Sequence, residues 1–480
     1  MSYFSGKLVE YPEFSLDRFD EKNVEAQAFF LSHCHMDHMV GLDSEEFRAR
    51  LRSKDDVHLY CSPITKDVLL SMKPYQSLEP HVVIIEVNCA TPIILTHGLS
   101  GKEVVVVVTL IPAAHCPGSV MFLFEGMRGT VLYTGDFRVA RGKASCISAL
   151  HSATQVKNIQ SIYVDTTFCD PKLYHIPTRE VCVEAIGKLA EEWLSRSRHH
   201  IVWLECKSKF GYEFLFVNIA QRLHIKIHVH EDKLQTFANV PEISQHLTTD
   251  INTRVHACPS FCKQSRPPCG AVGRVLTIKP TTMWFAMKSQ EDLLVKIEDD
   301  FYRACYSFHS SYSELRDFVS YFNPVNVYPN VVPPGSTVKE VQERLSSFCH
   351  HPKDRGEEIV LRPLGKVQQA DHFPSPQPDD FESLFGGIPP PTHRKRVSRA
   401  AEKKDSEGSP PPTLPIALHH QENSRVASTS PESTHINNVT AVLAKHPLSH
   451  DDDVPKNSSK YQRRLCKLEE HCPKLIDGCE

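Results

Sequence analysis

The sequence has little that would attach the protein to a membrane or send it along a secretory route. Its N-terminus lacks an apolar run behind a basic start, and we read no membrane-spanning segment in it. An excess of positive charge is also missing, because 54 lysines and arginines face 58 aspartates and glutamates, for a formal net charge of −4. We therefore expect a soluble intracellular protein whose contact with any nucleic acid depends on a local patch.

Histidine and cysteine, in contrast, are abundant, with 27 and 16 residues. In a chain of this class, cysteines are more often reduced thiols or metal ligands than disulfides. A length of 480 residues exceeds what one hydrophobic core usually serves, so two folded domains and a tail are expected.

Short β-rich runs alternate with helical patterns up to about residue 364. Strands are predicted at 26–31, 58–61, 82–87, 104–111, 120–124, 130–133, 161–164, 201–205, 226–229, 275–278 and 303–308. The clearest helices are predicted at 43–51, 178–196, 212–223 and 313–321. This alternation favours an α/β sandwich over an all-β barrel.

The character of the chain changes after about residue 365. Fourteen of the 34 prolines lie there, among many serines, glutamates and lysines. Such a segment buries too little apolar surface to offset its ordering entropy, so we predict a disordered regulatory tail at 365–480. Its basic cluster, at 394–396 and 403–404, is either a solvated charge run or a nuclear import signal.

One loop concentrates residues that bind metals. The apolar run 29–31 leads into Ser32-His33-Cys34-His35-Met36-Asp37-His38, which carries four potential ligands in six positions. Imidazole and carboxylate without thiolate suit Zn²⁺, or a mixed site that tolerates Mn²⁺ or Mg²⁺. A lone histidine is more often structural than a ligand, but four ligand-type residues so close together favour a metal site.

Three further residues stand where apolar runs end. His115 follows the run 104–111, Asp136 follows 130–135, and Asp165 follows 161–164. Ionisable groups at the exit of buried strands are costly unless they are paired or bound to metal. Each alone could be a turn residue; together, at consecutive strand ends, they are expected to converge.

The pattern H-x-H-x-D-H, then a histidine after a long strand, then T-G-D, resembles the metallo-β-lactamase family. The resemblance implies an αββα sandwich with two metals that stabilise the attacking and leaving oxygens of a displacement at phosphorus. It assigns to the first metal the ligands His33, His35, His115 and Asp136. It assigns to the second metal the ligands Asp37, His38 and a bridging Asp136. It implies one or two catalytic Zn²⁺, with Mg²⁺ or Mn²⁺ as an alternative at the second position, and it makes Asp17 the residue that orients a metal-binding histidine.

Two later segments resemble the β-CASP subfamily, which processes nucleic acids. Asp165, in Asp-Thr-Thr-Phe-Cys, matches its first additional motif, and His309, in Tyr-Ser-Phe-His-Ser-Ser, matches its second. The resemblance makes Asp37, His38, Asp136, Asp165 and His309 the catalytic residues, with His309 near the scissile phosphate. We place the third motif at Val331, where valine is typical of DNA-cleaving members. The implied domains are a metallo-β-lactamase domain at 1–155 and 296–364 and an inserted β-CASP domain at 156–295.

Within this family the motifs are most similar to nucleases that open DNA hairpins and trim overhangs in non-homologous end joining and V(D)J recombination, leaving 5′-phosphates. The implied setting is a monomer in the nucleus, acting on hairpins, overhangs and single/double-strand junctions, with the catalytic subunit of DNA-dependent protein kinase as a partner. The tail contains no tryptophan and no segment similar to the one with which relatives contact DNA ligase IV, so that contact is not expected. The alternatives are a 5′-to-3′ exonuclease of cross-link repair, an RNA-processing endonuclease and a non-catalytic repair scaffold.

A second metal site is predicted inside the insert. Its ligands form a closed set of two nitrogens and two sulfurs, as structural zinc needs: His228, His256, Cys258 and Cys269. From the pattern alone, His224, His230 and Cys262 remain alternatives. The family resemblance favours Cys269 over Cys262.

A phosphate-binding segment is predicted after the strand 201–205. Lys207, Gly211 and Tyr212 lie where the next helix begins, and the first turn of a helix offers backbone N–H groups to an anion. Ser307 resembles a family position near the same pocket. The alternative for Lys207 is an ordinary solvated lysine.

Overall fold

The computed structural model describes residues 3–54, 56–96, 103–259, 266–288 and 292–349. The predicted tail, including its basic cluster, lies outside these residues. None of the helices in this part of the chain is long and apolar enough to cross a bilayer.

The strands and helices of the described residues follow in chain order. The strands are β1 (Phe14–Leu16), β2 (Ala28–Phe30), β3 (Leu59–Cys61), β4 (Val82–Ile84), β5 (Ala90–Thr96), β6 (Glu103–Pro112), β7 (Val120–Gly126), β8 (Gly129–Tyr133), β9 (His151–Ser152), β10 (Gln155–Val156), β11 (Ser161–Val164), β12 (His200–Leu204), β13 (Ile227–His228), β14 (Leu247–Thr248), β15 (Val255–His256), β16 (Arg274–Thr281), β17 (Leu294–Glu298), β18 (Phe301–Cys305) and β19 (Asn326–Pro329). The α-helices are α1 (Glu45–Arg52), α2 (Pro63–Ser71), α3 (Arg179–Ser195), α4 (Glu213–Leu223), α5 (Glu231–Thr236), α6 (Pro241–Ser244), α7 (Met283–Lys288), α8 (Tyr312–Phe322) and α9 (Val338–Phe348).

Two sheets pack face to face. One is the parallel sheet β1-β2-β3-β4, and the other has the order β19-β11-β8-β7-β6-β5. The inward side chains of β6 alternate with outward ones: Val106 and Val108 are fully buried, whereas Val105, next to Val106 in the chain, is exposed. Aromatic rings join the two sheets, as where Phe30 meets Phe122 with ring centroids 5.3 Å apart.

Helices cover the outer face of each sheet. Phe47 of α1 and Leu69 of α2 pack with the outer side chains of the four-stranded sheet, and α8 and α9 pack on the six-stranded sheet through Phe318 and Leu345. Both α8 and α9 begin with a capping box, in which the N-cap hydroxyl and a glutamate three residues later bond reciprocally. The layers are therefore αββα, which confirms the predicted sandwich.

The segment between β11 and β19 builds a third sheet, with the order β14-β13-β15-β12-β16-β18-β17. It is parallel except for the β17–β18 pair, and α3 and α4 pack with it in one core. The chain then returns through α8 to β19, which pairs in parallel with β11. We propose that this return joins the two parts of one domain around the insert.

The predicted strands and helices agree with the structure to within a few residues at most ends. The strand predicted at 303–308 begins and ends a few residues earlier in the structure, at Phe301–Cys305. The strands β1, β5, β9, β10, β14, β15, β17 and β19 were missed. Several of these are only two to four residues long, which is too short for an alternating pattern to emerge.

Candidate metal centres

The predicted ligands lie at one edge of the sandwich because several strands end there together. Strands β1 and β2 run parallel, and β6, β8, β11 and β19 share one direction within their own sheet. Asp17, His33, His115, Asp136 and Asp165 each follow the carboxyl end of one of these strands. Val331 follows β19 at the same edge, and its backbone bonds to the hydroxyl of Thr166, the neighbour of Asp165.

A glycine lets the two sheets approach at this edge. Gly135 has a φ of +53°, and a Cβ at this position would lie 2.8 Å from the hydroxyl of Ser32. The loop after β8 therefore touches the loop after β2 without a side chain between them. This contact brings Asp136 beside the histidines of the H-x-H-x-D-H segment.

Three imidazoles surround one carboxylate oxygen, and a fourth lies beside two of them. Asp136 Oδ2 lies 3.7 Å from His33 Nε2, 3.3 Å from His38 Nε2 and 3.5 Å from His115 Nε2. His35 Nδ1 lies 3.1 Å from His33 Nε2 and 3.0 Å from His115 Nε2. These spacings are close to the edge of about 3.3 Å expected between ligands of a tetrahedral ion bound at about 2.0–2.1 Å.

The outer nitrogen of each imidazole donates a hydrogen bond, which fixes the tautomer. His35 Nε2 bonds to the carbonyl of Phe210 at 3.2 Å, and His115 Nδ1 bonds to the carbonyl of Phe308 at 3.1 Å. A carbonyl can only accept, so the proton is on the histidine in both cases. The inner nitrogens therefore turn lone pairs toward each other at 3.0 Å.

The same holds for the other two histidines. The hydroxyl of Ser32 donates to Asp17, so it accepts from His33 Nδ1 at 2.9 Å. His38 Nδ1 donates to Asp17 Oδ2 at 2.9 Å. Four inward lone pairs and a carboxylate repel one another unless a cation lies among them, so this donor set fits a metal ion.

Burial and neighbouring charge separate the histidines electrostatically. Burial, reinforced by the surrounding imidazoles, lowers the pKa of His33 and His115 well below its ordinary value. Burial opposes protonation of His38 too, but Asp136 and Asp17 outweigh it and raise the pKa of His38 well above its usual range. The carboxylates thus attract any cation to this point, a metal ion as well as a proton.

Asp17 is placed as predicted, behind the histidines. Its residue is buried, with a φ of +53°, and its carboxylate accepts four hydrogen bonds, from the Ser32 N–H and hydroxyl, from His38 Nδ1 and from the Tyr133 hydroxyl. Such a carboxylate behind a ligand fixes the orientation of the ring and increases its basicity.

Asp37, Asp165 and His309 lie at the same edge of the sandwich as the other predicted ligands. Asp37 is the most exposed of the ligands, and its carboxylate lies 3.8 Å from His38 Nε2. Asp165 is buried and accepts from His309 Nδ1 at 2.8 Å and from the Thr167 N–H and hydroxyl. Burial would raise the pKa of Asp165, but His309 and Thr167 lower it, so this carboxylate is ionised. Asp136, Asp165 and His309 present ligand atoms within 4.8 Å of one another.

The second predicted cluster also comes together, in the third sheet. Strands β13 and β15 place His228 opposite His256, and Cys258 and Cys269 lie beside them, with all four ligand atoms within 4.8 Å. His228 Nδ1 is 3.0 Å from Cys258 Sγ, and His256 Nδ1 is 3.4 Å from Cys269 Sγ. Burial, with help from His228, lowers the pKa of His256 to about 4, so this imidazole is neutral and able to bind a metal.

The alternative ligands for this second cluster lie at helix ends or outside the described residues. His224 caps the carboxyl end of α4 in the left-handed conformation, and His230 is the N-cap of α5. Cys262 lies outside the described residues. The geometry therefore supports the set of His228, His256, Cys258 and Cys269.

The predicted phosphate segment differs from the expectation. The Gly211 N–H is not open to an anion, because it donates to Glu213 Oε2 at 2.7 Å. The ring of Tyr212 is buried against Tyr306 and Phe308. Lys207 is exposed, in keeping with contact to a ligand in solvent.

Ser307 shapes the turn before His309 and is buried. Its hydroxyl accepts from the His309 N–H at 3.0 Å and donates to the His309 carbonyl at 2.9 Å. The residue therefore fixes the backbone that presents His309 to the edge.

Comparison with known families agrees with this geometry. A model described as "Beta-lactamase superfamily domain" matches residues 16–195, and one described as "DNA repair metallo-beta-lactamase" matches residues 241–335. The chain has a metallo-β-lactamase fold. The first match covers Asp17, the H-x-H-x-D-H segment and Asp136, and the second covers His309 and Val331.

Several curated proteins are similar along most of the chain. "Protein artemis" of Mus musculus is 49% identical over 395 residues, which is 79% of this chain and 56% of that protein. "Protein artemis" of Gallus gallus is 50% identical over 382 residues, 77% of this chain and 53% of that protein. "5' exonuclease Apollo" of Rattus norvegicus is 32% identical over 308 residues, 64% of this chain and 51% of that protein. The chain thus resembles the Artemis proteins and spans little more than half of their length.

Sequence reasoning missed the two backbone carbonyls that bond to His35 and His115. They belong to Phe210, after β12 of the inserted sheet, and Phe308, after β18. A carbonyl is present at every residue, so no residue type marks it. The one available signal was Gly211, whose φ of +115° and close approach to the ring of Phe308 indicate a special backbone at this point.

Proposed function

We propose that the chain is a metal-dependent DNA endonuclease that opens hairpins and trims overhangs, leaving 5′-phosphates. The observation that carries this proposal is the convergence on Asp136 of four imidazoles whose outer nitrogens all donate hydrogen bonds. DNA as the substrate is supported by the DNA repair family model, by the relatives and by Val331 at the catalytic edge.

The ligands would divide between two ions. His33, His35, His115 and Asp136 would hold one, which the nitrogen-rich set makes a zinc ion. Asp37, His38 and Asp136 would hold the second, and its two carboxylates would also accept Mg²⁺ or Mn²⁺. The closed set of His228, His256, Cys258 and Cys269 would hold one structural Zn²⁺.

When bound, the metals stabilise the attacking and leaving oxygens and lower the pKa of water. The chain supplies the positioning. Asp136 bridges the two ligand sets, and Asp17 orients His38. His309, fixed by Asp165 and packed beside His115 with ring centroids 4.6 Å apart, would hold the scissile phosphate, together with the exposed Lys207.

The proposed biological setting follows from the resemblance to the Artemis proteins. We propose that the chain acts as a monomer in the nucleus, in non-homologous end joining and V(D)J recombination, with the catalytic subunit of DNA-dependent protein kinase as its partner. Contact with DNA ligase IV is not part of the proposal.

The test is a cleavage assay on four labelled substrates: a DNA hairpin, a DNA duplex with an overhang, a blunt DNA duplex and an RNA hairpin. The proposal expects nicking of the DNA hairpin near its tip, removal of the overhang, and 5′-phosphate products, all of which stop when a chelator removes the metals. Cleavage of RNA alone would refute it. Adding the purified kinase subunit to a parallel reaction tests the proposed partner, which should increase hairpin opening.

The second candidate is a 5′ exonuclease, which the similarity to "5' exonuclease Apollo" favours. It predicts that a 5′-labelled duplex releases mononucleotides step by step and that a closed hairpin, which has no end at its tip, stays intact there. A non-catalytic scaffold predicts no cleavage of any substrate by metal-loaded protein.

A further inference from the structure

An ion pair between a buried carboxylate and a partly buried ammonium lies behind the catalytic cluster, in the inserted part of the chain. Glu213, at the start of α4, has no exposed surface, and its Oε1 lies 2.6 Å from Lys233 Nζ of α5. Removing charges from water is unfavourable, and the attraction between them offsets this only with good geometry and further hydrogen bonds. The further hydrogen bonds of this pair therefore indicate which part of the backbone it holds in place.

Those bonds hold both sides of a single residue, Phe210. Glu213 Oε2 accepts from the Gly211 N–H at 2.7 Å, and Lys233 Nζ donates to the Lys209 carbonyl as well as to Glu213. The ammonium of Lys233 also lies over the ring of Phe210, 5.5 Å from its centroid. The pair thus ties down the backbone immediately before and after Phe210.

Phe210 is the residue whose carbonyl accepts the hydrogen bond of His35, at 3.2 Å. Its ring also lies nearly parallel to the His35 ring, at 19°. This carbonyl keeps the proton of His35 on Nε2 and leaves the lone pair of Nδ1 directed at His33 and His115. A shift of the Phe210 backbone would free the ring of His35 to rotate or to change tautomer.

We propose that Glu213 and Lys233 are positioning residues that hold the Phe210 carbonyl against His35 and so set the metal affinity of the catalytic cluster. The proposal rests on the proposed function, because it requires this cluster to bind metal. It also means that the insert, which carries the ion pair, is coupled to the metal ligands of the sandwich. Loss of a hydrogen-bonding partner behind a metal ligand lowers metal affinity about 10- to 100-fold.

The test is a metal titration of the full chain, stripped with a chelator and reloaded with Co²⁺. The two clusters give different spectra, because only the cluster of His228, His256, Cys258 and Cys269 has thiolates that produce a charge-transfer band with cobalt. Glu213→Gln and Lys233→Met should each weaken cobalt binding to the catalytic cluster about 10- to 100-fold, while the thiolate band titrates as in the parent chain.

A single substitution leaves the other charge without its partner, which destabilises the insert, so a second variant removes both charges. Replacing a buried pair by uncharged residues of similar volume is often neutral for stability. The double variant Glu213→Gln, Lys233→Met should therefore melt close to the parent chain and still bind cobalt weakly at the catalytic cluster. Lys233→Arg, which keeps the charge, should restore binding in part.

Lys279→Met is the matched control. It breaks the Lys279–Glu205 pair, which lies in the same inserted part of the chain at 2.7 Å, and cobalt binding at both clusters should stay unchanged. Parental cobalt affinity in the folded double variant would overturn the inference and leave the proposed function intact. Failure of the parent chain to bind cobalt at the catalytic cluster would refute the proposed function instead.

Discussion

The two ligand clusters differ in what stands behind their ligands. In the catalytic cluster, each of the four histidines donates its outer N–H to a carboxylate, a hydroxyl or a carbonyl, and Asp37 faces solvent. In the cluster of His228, His256, Cys258 and Cys269, two nitrogens and two sulfurs close the set, and no carboxylate joins them among the described residues. The first arrangement leaves room for a substrate beside the metal, and the second is complete once an ion is bound.

This difference suits the first cluster to catalysis and the second to stabilising the fold. An open cluster with carboxylates can change its ligands during a reaction, so its loss should affect cleavage more than folding. A closed cluster that joins β13, β15 and a distant loop cross-links the inserted sheet, so its loss should affect folding first.

The largest effect is expected from Asp136→Asn. Its Oδ2 lies within 3.3–3.7 Å of three imidazoles, and the substitution removes the shared charge without changing shape. Cleavage of a DNA hairpin should fall on the order of 10³-fold or more, with little change in melting temperature. Asp317→Asn, at a half-exposed carboxylate that only accepts from Gly142 in the described contacts, is the control and should cleave normally.

Next comes the double variant Cys258→Ser, Cys269→Ser. Removing both thiolates should eliminate the structural ion and lower the melting temperature on the order of 10 °C, because binding of such an ion supplies folding free energy. The molecules that remain folded should retain their cleavage rate. Calorimetry and active-site titration measure the two quantities. An unchanged melting temperature together with a loss of cleavage would contradict the structural role of this cluster.

Asp17→Asn should have an intermediate effect. The variant keeps the shape of a side chain that accepts from His38, Ser32 and Tyr133 but removes its charge. We expect cleavage and metal affinity to fall together, about 10- to 100-fold. Asp20→Asn, which breaks a partly exposed pair with Arg18, is the control. A normal metal affinity in Asp17→Asn would show that the carboxylate has no role in metal binding.

The smallest effect is expected from Lys207→Ala. An exposed lysine that contacts a DNA phosphate should contribute a few-fold to KM and little to kcat, and its removal should lower the salt dependence of binding by about one ion. Lys188→Ala, at an exposed lysine of α3, should change neither. Identical KM and salt dependence for Lys207→Ala and the parent chain would exclude this lysine from the DNA contact.

The metal ligands could be predicted from the sequence, whereas the groups that position them could not. Ligands such as His33 and Asp136 were identifiable because residue type and strand-end position coincide, and the sandwich followed from the strand–helix alternation. Phe210, Phe308 and the Glu213–Lys233 pair were not, because their roles depend on backbone atoms and on contacts between residues far apart in the chain. The expected anion contact at Gly211 was wrong for the same reason, since a buried carboxylate two residues later takes its N–H.

The most direct test of two separate metal centres is the metal content of the purified, folded chain, measured by native mass spectrometry. We expect about three ions per chain, two at the catalytic cluster and one at the cluster with thiolates. The double variant Cys258→Ser, Cys269→Ser should lose one ion and keep the others. A parent chain with no more than two ions, or a double variant with an unchanged number of ions, would contradict the presence of these two metal centres.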